Sequence, residues 1–200
     1  MKILLVGASG TIGQAVVKEL GPRHEIIKAG SRGGDVTVDI TDEASIKALF
    51  EQLGHVDAVV CTAGAGFFGP FAQLTAETCQ VGIKSKLMGQ VNLVLIGRDY
   101  VTDGGSFTLT SGILSFDPVK GGAGLSLVNG AINGFVVGAA IELPRGMRIN
   151  AVSPDVLVES VPKLGVYFRG HVPVRAEKVA FAYSKSVEGA LTGQVLSVTE

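Results

Sequence analysis

The chain has 200 residues, which suits a single domain (1–200) with a proper core. It is 46% apolar and 18% charged, which excludes a disordered chain; a net charge of −1 argues against a dedicated nucleic-acid binder, which needs a basic face. Mean hydropathy is +0.42, yet no apolar run approaches the ~20 residues of a membrane span, and the opening run is too short for a signal peptide.

Residues 2–6 form a short apolar run, read as a strand. Gly7-Ala8-Ser9-Gly10-Thr11-Ile12-Gly13 follows at once, and residues 14–20 read as a helix. Strand, glycine turn and helix is the context of a phosphate-cradling loop. Gly7 allows the sharp turn, Gly10 lets backbone approach a pyrophosphate, and Gly13 lets helix and strand pack closely. The free N–H groups of a helix starting near Thr11 would face that anion. The spacing is Gly-x-x-Gly-x-x-Gly, so a glycine-rich turn with no ligand stands as the alternative.

Residues 25–29 read as a second strand, 30–34 as a turn, and 36–38 as a short third strand ending in Asp39-Ile40. Thr41 is the expected N-cap of the next helix, with Asp42 and Glu43 in its first turn. Ile46, Leu49, Phe50 and Leu53 make that helix's apolar stripe. Residues 58–62 are a buried strand closed by Ala63-Gly64, and 65–71 a loop. A long helical region covers 75–100, with a break expected near Gly82. A turn at 103–105, a strand at 106–110 and an irregular stretch at 111–121 follow. Next come a helix over 122–143 stopped by Pro144, a strand over 148–152 and a loop over 155–173. A helix over 174–188 and a strand over 194–198 close the chain. Apolar strands alternating with helices predict an α/β fold. The expected form is a Rossmann-type doubly wound parallel sheet of about seven strands, in three α/β/α layers. Ligands are expected at the carboxyl ends of its strands.

After the second strand, an acid would accept from a ribose 2′-hydroxyl, whereas a basic residue would take a 2′-phosphate. Ser31-Arg32 stands there, which favours NADP over NAD. Asp35 is the rival acid if the strand runs longer. Cys61 and Cys79 offer no disulfide framework, and His24, His55 and His171 are too scattered to suggest a metal site. A reducing, cytoplasmic setting is the default expectation.

With these landmarks in order, the chain resembles the short-chain dehydrogenase/reductase family over nearly its full length. Asp39-Ile40 is similar to the family's pair that meets the adenine. Thr62-Ala63-Gly64 resembles its Asn-Ala-Gly stretch beside the adenosine ribose, with Thr62 replacing the asparagine. Ser111 falls where the family has its catalytic serine. Arg148 to Pro154 resembles the sixth strand, with Asp155 replacing a glycine, and Thr192-Gly193-Gln194-Val195 the last. The resemblance implies hydride transfer between a nicotinamide and a small carbonyl or alcohol substrate.

The family's proton donor is missing. Registered on Ala131-Ile132-Asn133-Gly134-Phe135, its tyrosine falls on Leu125 and its lysine on Asn129. No Tyr or Lys occurs anywhere from Gly121 to Pro144. The family's helix asparagine falls at Lys86, so lysine and asparagine are exchanged. Lys86, with its pKa lowered by desolvation, is the candidate donor, and Ser85 stands in if the count is off by one. A surface lysine and a helix-pairing Asn129 amide are the plainer alternative. Tyr167, Tyr183, Asp117 and Lys120 are weaker candidates, and Ser111 has no visible partner base for nucleophilic work. Two functions follow: an NADP-dependent oxidoreductase with a non-standard proton donor, or a non-catalytic nucleotide-binding sensor on the same fold. Small-residue helices around 82–97 and 130–140 fit the family's habit of pairing as a homodimer.

Overall fold

A computed structural model describes all 200 residues. Seven parallel strands lie in the order β3-β2-β1-β4-β5-β6-β7. They are β1 Lys2–Val6, β2 Glu25–Gly30, β3 Val36–Thr37, β4 Val56–Cys61, β5 Val101–Thr110, β6 Arg148–Pro154 and β7 Val195–Val198. The helices are α1 Thr11–Leu20, α2 Glu43–Leu53, α3 Ala76–Gly82, α4 Gly89–Gly97, α5 Ala123–Ala139, α6 Val161–Leu164 and α7 Ala176–Glu188. No helix is long and apolar enough to cross a membrane.

Strand alternation supplies the two cores. Leu4 and Val6 of β1 enter the layer with α2, α4 and α5, while Ile3 and Leu5 enter the layer with α1 and α7. Doubly wound topology reverses between β1 and β4, which opens a crevice at the strands' carboxyl ends.

Several expected boundaries move. Asp42, not Thr41, caps α2, its side chain accepting from Ala44 N–H at 3.0 Å. The Thr41 hydroxyl is instead taken by Asp39 Oδ1 at 2.8 Å. No break occurs at Gly82; a π-helical stretch, Ile83–Met88, joins α3 to α4. The expected turn at 103–105 lies within β5. Between Val56↔Val101 and Ala58↔Ser106 the pairing register shifts, so β5 absorbs the extra residues as an irregularity. Gly105 permits it, because a Cβ there would lie 2.6 Å from the Asp57 carbonyl oxygen. Helix α5 ends at Ala139, earlier than expected, and hydrogen-bonded turns carry the chain on to Pro144, with Leu143 N–H donating to Ala139 O at 2.9 Å. Helix α7 starts at Ala176, since Val174 forms a parallel bridge with Leu157. Short helical pieces, Val158–Ser160 and α6, occupy part of the expected loop.

Candidate active site

The glycine loop leaves β1 at Gly7, whose φ is +90°. A Cβ on Gly7 would stand 2.8 Å from Thr62 Oγ1, and one on Gly13 would stand 2.2 Å from Gly7 O. Protein packing alone demands those two glycines. Gly10 differs: the nearest atom to its Cβ position is 3.4 Å away, so its open side faces the crevice. Gly10 also caps α1 with no side-chain hydrogen bond, which leaves the first-turn N–H groups available to an anion. Thr11 is exposed at that helix start.

A cleft of about 390 Å³ opens here, lined by Gly7, Ser9, Gly10, Ser31, Asp39, Ile40, Thr62, Ala63 and Gly64. Thr62 holds the β1 exit by donating to Gly7 O at 3.0 Å. The Thr41 backbone N–H, then its hydroxyl, hold the Asp39 carboxyl below the usual carboxylate range. Ile40 packs on Gly89 at the start of α4, where a Cβ would lie 2.9 Å from Ile40 Cδ1. Arg32 is exposed beside Ser31, outside the cleft lining, and holds no ion pair. The rival Asp35 is engaged elsewhere, accepting from Lys28 N–H at 2.8 Å.

Through Thr62 the cleft continues into a second one of about 250 Å³, lined by Ile12, Lys86, Ser111, Leu125, Asn129 and Asp155, among others. Three polar groups meet there. Ser111, pinned by its N–H to Val152 O at 2.9 Å, is buried, and its Oγ has no partner. Asn129 Oδ1 is likewise buried and unpartnered. Its Nδ2 lies beside Gly112, where a Cβ would come within 2.9 Å. Lys86 is half-buried on the π-helical stretch, with no ion pair, and burial pushes its ammonium pKa down to about 8. Leu125, at the tyrosine position of the resemblance, packs on Gly66, where a Cβ would lie 2.5 Å from its Cδ2.

The other candidates fall outside this cluster. Ser85 Oγ accepts from Ala65 N–H at 3.0 Å and lines the first cleft. Tyr183 is fully buried in the α1/α7 layer, its hydroxyl 2.6 Å from Thr110 Oγ1. Tyr167 and Lys120 line an outer cleft of about 700 Å³ with Phe68, Phe71 and Val119. Sequence reading missed two features. Gln90 is wholly buried where α4 meets β5, and nothing in the sequence sets it apart from Asn92 two residues on. Asp155 accepts from His171 Nδ1 at 2.9 Å, and Asp117 lies 3.7 Å from His171 Nε2. No local spacing announces that cluster.

Comparison with known proteins places this architecture. Residues 10–162 match the family described as enoyl-(acyl carrier protein) reductase. The crystal structure of the protein lin1944 from Listeria innocua superposes with a TM-score of 0.97 at 55% identity, over 99% of each chain. A small-chain dehydrogenase solved in complex with NADPH gives a TM-score of 0.89 at 28% identity, over 100% of this chain and 96% of that one. The cyclic-di-GMP-binding biofilm dispersal mediator protein of Escherichia coli K12 is 28% identical, over 76% of this chain and 71% of its own. The fold and these matches define an oxidoreductase class. The chain belongs to the short-chain dehydrogenase/reductase family.

Proposed function

We propose that this protein is an NADP(H)-dependent oxidoreductase acting on a small carbonyl or alcohol, with Lys86 as its proton donor. The observation that carries this reading is the meeting of unpaired Lys86, orphaned Ser111 Oγ and orphaned Asn129 Oδ1 in one cleft, continuous with the glycine loop. Buried polar atoms without partners are costly, and a ligand that pairs them removes the cost.

The residues present suit a dinucleotide. The open face of Gly10 and the α1 N-terminus would hold its pyrophosphate, Asp39 and Ile40 its adenine, Thr62 to Gly64 its adenosine ribose, and Asn129 its nicotinamide end. Ser31 and Arg32 would take a 2′-phosphate, since Asp35 is bound to β2 backbone. The solved relative with NADPH supports the same choice.

When bound, the cofactor supplies or takes the hydride. Ser111 Oγ donates a hydrogen bond to the carbonyl oxygen and fixes its position. The Lys86 ammonium gives that oxygen a proton as it becomes a hydroxyl, and the amine recovers one from water. A donor with pKa about 8 suits neutral conditions, and it comes from a helix facing the missing tyrosine's position. The outer cleft, walled by Phe68, Phe71 and Tyr167, would take an apolar part of the substrate.

Fluorescence titration with NADPH and NADH is the first test. Selective NADPH binding supports the reading and opens a carbonyl screen comparing wild type with Lys86→Met. Binding of neither overturns it. A second reading, a nucleotide-binding sensor without catalysis, is favoured by Leu125 at the tyrosine position and by the name of the Escherichia coli relative. NADPH binding with no turnover across that screen would select it. The assembly proposed is a homodimer through the outer faces of α4 and α5.

A further inference from the structure

Gln90 is a fully buried amide in a helix that is otherwise apolar at its buried positions: Val91, Leu93 and Val94 surround it in sequence. Its amide makes three hydrogen bonds. Nε2 donates to Lys86 O at 2.9 Å and to Thr110 O at 2.9 Å, and Oε1 accepts from Thr110 N–H at 2.7 Å.

Both ends of this bridge matter. Thr110 is the last residue of β5, directly before Ser111. The β4–β5 pairing stops at Val60↔Thr108, so the Thr110 backbone has no strand neighbour on that side. The Gln90 amide offers one donor and one acceptor there, as a neighbouring strand would. The third bond fixes the Lys86 carbonyl within the widened turns of the π-helical stretch. The same turn rests on Gly64, where a Cβ would stand 2.8 Å from Lys86 Cα. The glycine contact and the amide bond both bear on the Lys86 backbone.

We propose that Gln90 is a positioning residue that fixes Lys86 and Ser111 relative to each other by tying their backbones through one amide. The inference rests on the reading that these two side chains act on one substrate oxygen. Gln90 itself touches no substrate. A helix and a strand that meet only through apolar contacts can slide by fractions of an ångström, and catalytic groups tolerate little of that.

The test uses Gln90→Met, which keeps the shape and removes all three bonds, with Gln90→Asn as the milder variant. Lysines are labelled by reductive ¹³C-methylation and titrated by NMR, the Lys86 signal being assigned with Lys86→Arg. In the folded variants, the Lys86 signal should titrate about one pH unit or more above wild type as the side chain gains water. NADPH affinity should stay within about twofold, and kcat on a screened substrate should fall about tenfold with KM little changed. A Lys86 titration that does not move in a folded variant overturns the proposal. Should Gln90→Met not fold, Gln90→Asn decides by the same readout, because it is one methylene too short to span both bonds. The titration needs no substrate, so it separates failure of this inference from failure of the Lys86 proton-donor reading, which Lys86→Met turnover tests.

Discussion

At the residue scale, the proposed function rests on two cations with opposite surroundings. Arg32 is exposed and unpaired, so its guanidinium is available to a phosphate without breaking an existing contact. Arg32→Ala should weaken NADPH binding by about 10- to 100-fold, from the loss of a charge-assisted pair of ~1.5–3 kcal/mol, and leave NADH binding unchanged. Equal losses for both cofactors would remove Arg32 from the 2′-phosphate site. Lys86 is half-buried and has lost proton affinity, from the ordinary 10.5 to about 8. The proposed reduction uses the protonated form, so the pH–rate profile should fall above about pH 8 in wild type. Lys86→Met should lose that limb and about 10²–10⁴-fold in rate. The same shift bears on stability. Between about pH 8 and 10.5 the unfolded chain keeps a proton that the folded chain has released, so this group's contribution to stability rises with pH across that window. The melting-temperature advantage of Lys86→Met over wild type should therefore narrow from pH 7.5 to pH 10.5; a constant gap would contradict the depressed value. Lys86 came from a count onward from Ala63-Gly64, and Ser111 and Asn129 from the family resemblance; the structure sets all three on one cleft.

At the element scale, the segment over 155–173 is tied down by side chains that lie far apart in sequence. Asp155, just past β6, holds His171 by Nδ1 at 2.9 Å, and its own carboxylate also accepts from Val156 N–H at 2.6 Å. Phe168 packs edge-on to the His171 ring, with centroids 5.2 Å apart, and stacks near Phe68. His171→Leu would leave a buried acceptor without its partner, so it should cost about 1–3 kcal/mol and lower the melting temperature. Faster proteolysis within 155–173 should accompany it; an unchanged melting temperature and cleavage pattern would show that the pair does not hold this segment. None of this was readable from spacing, because a carboxylate–imidazole pair sixteen residues apart follows no helical or strand period. The π-helical stretch was hidden for a related reason. Its residues carry ordinary helical propensities, and the widening is accompanied by the Gln90 bridge to β5 and the glycine contact at Gly64.

At the scale of the whole molecule, α4 and α5 are apolar beyond what one sheet can bury. Leu95 remains 44% exposed and Val137 55% exposed, beside a groove of about 350 Å³ lined by Val94, Phe135, Ala139 and Leu143. A second copy meeting the same surface would cover both helices at once, as an isologous interface does. Light scattering should give a dimer, and Val137→Glu should shift it to monomer; a monomeric wild type would retire the homodimer.

The order of strands and helices, the glycine loop and the two-faced core were determined by the sequence itself. They depend on apolar period, turn residues and caps, all of which act within a few positions of chain. Tertiary structure alone decided which polar groups share a cavity, and so whether they have partners. Asp35 closes on β2, Tyr183 turns into the core, and Ser111 is left unpaired in the cleft that Lys86 also lines. Those outcomes depend on crossings between elements tens of residues apart, where packing fixes distance and chain spacing carries no information about it.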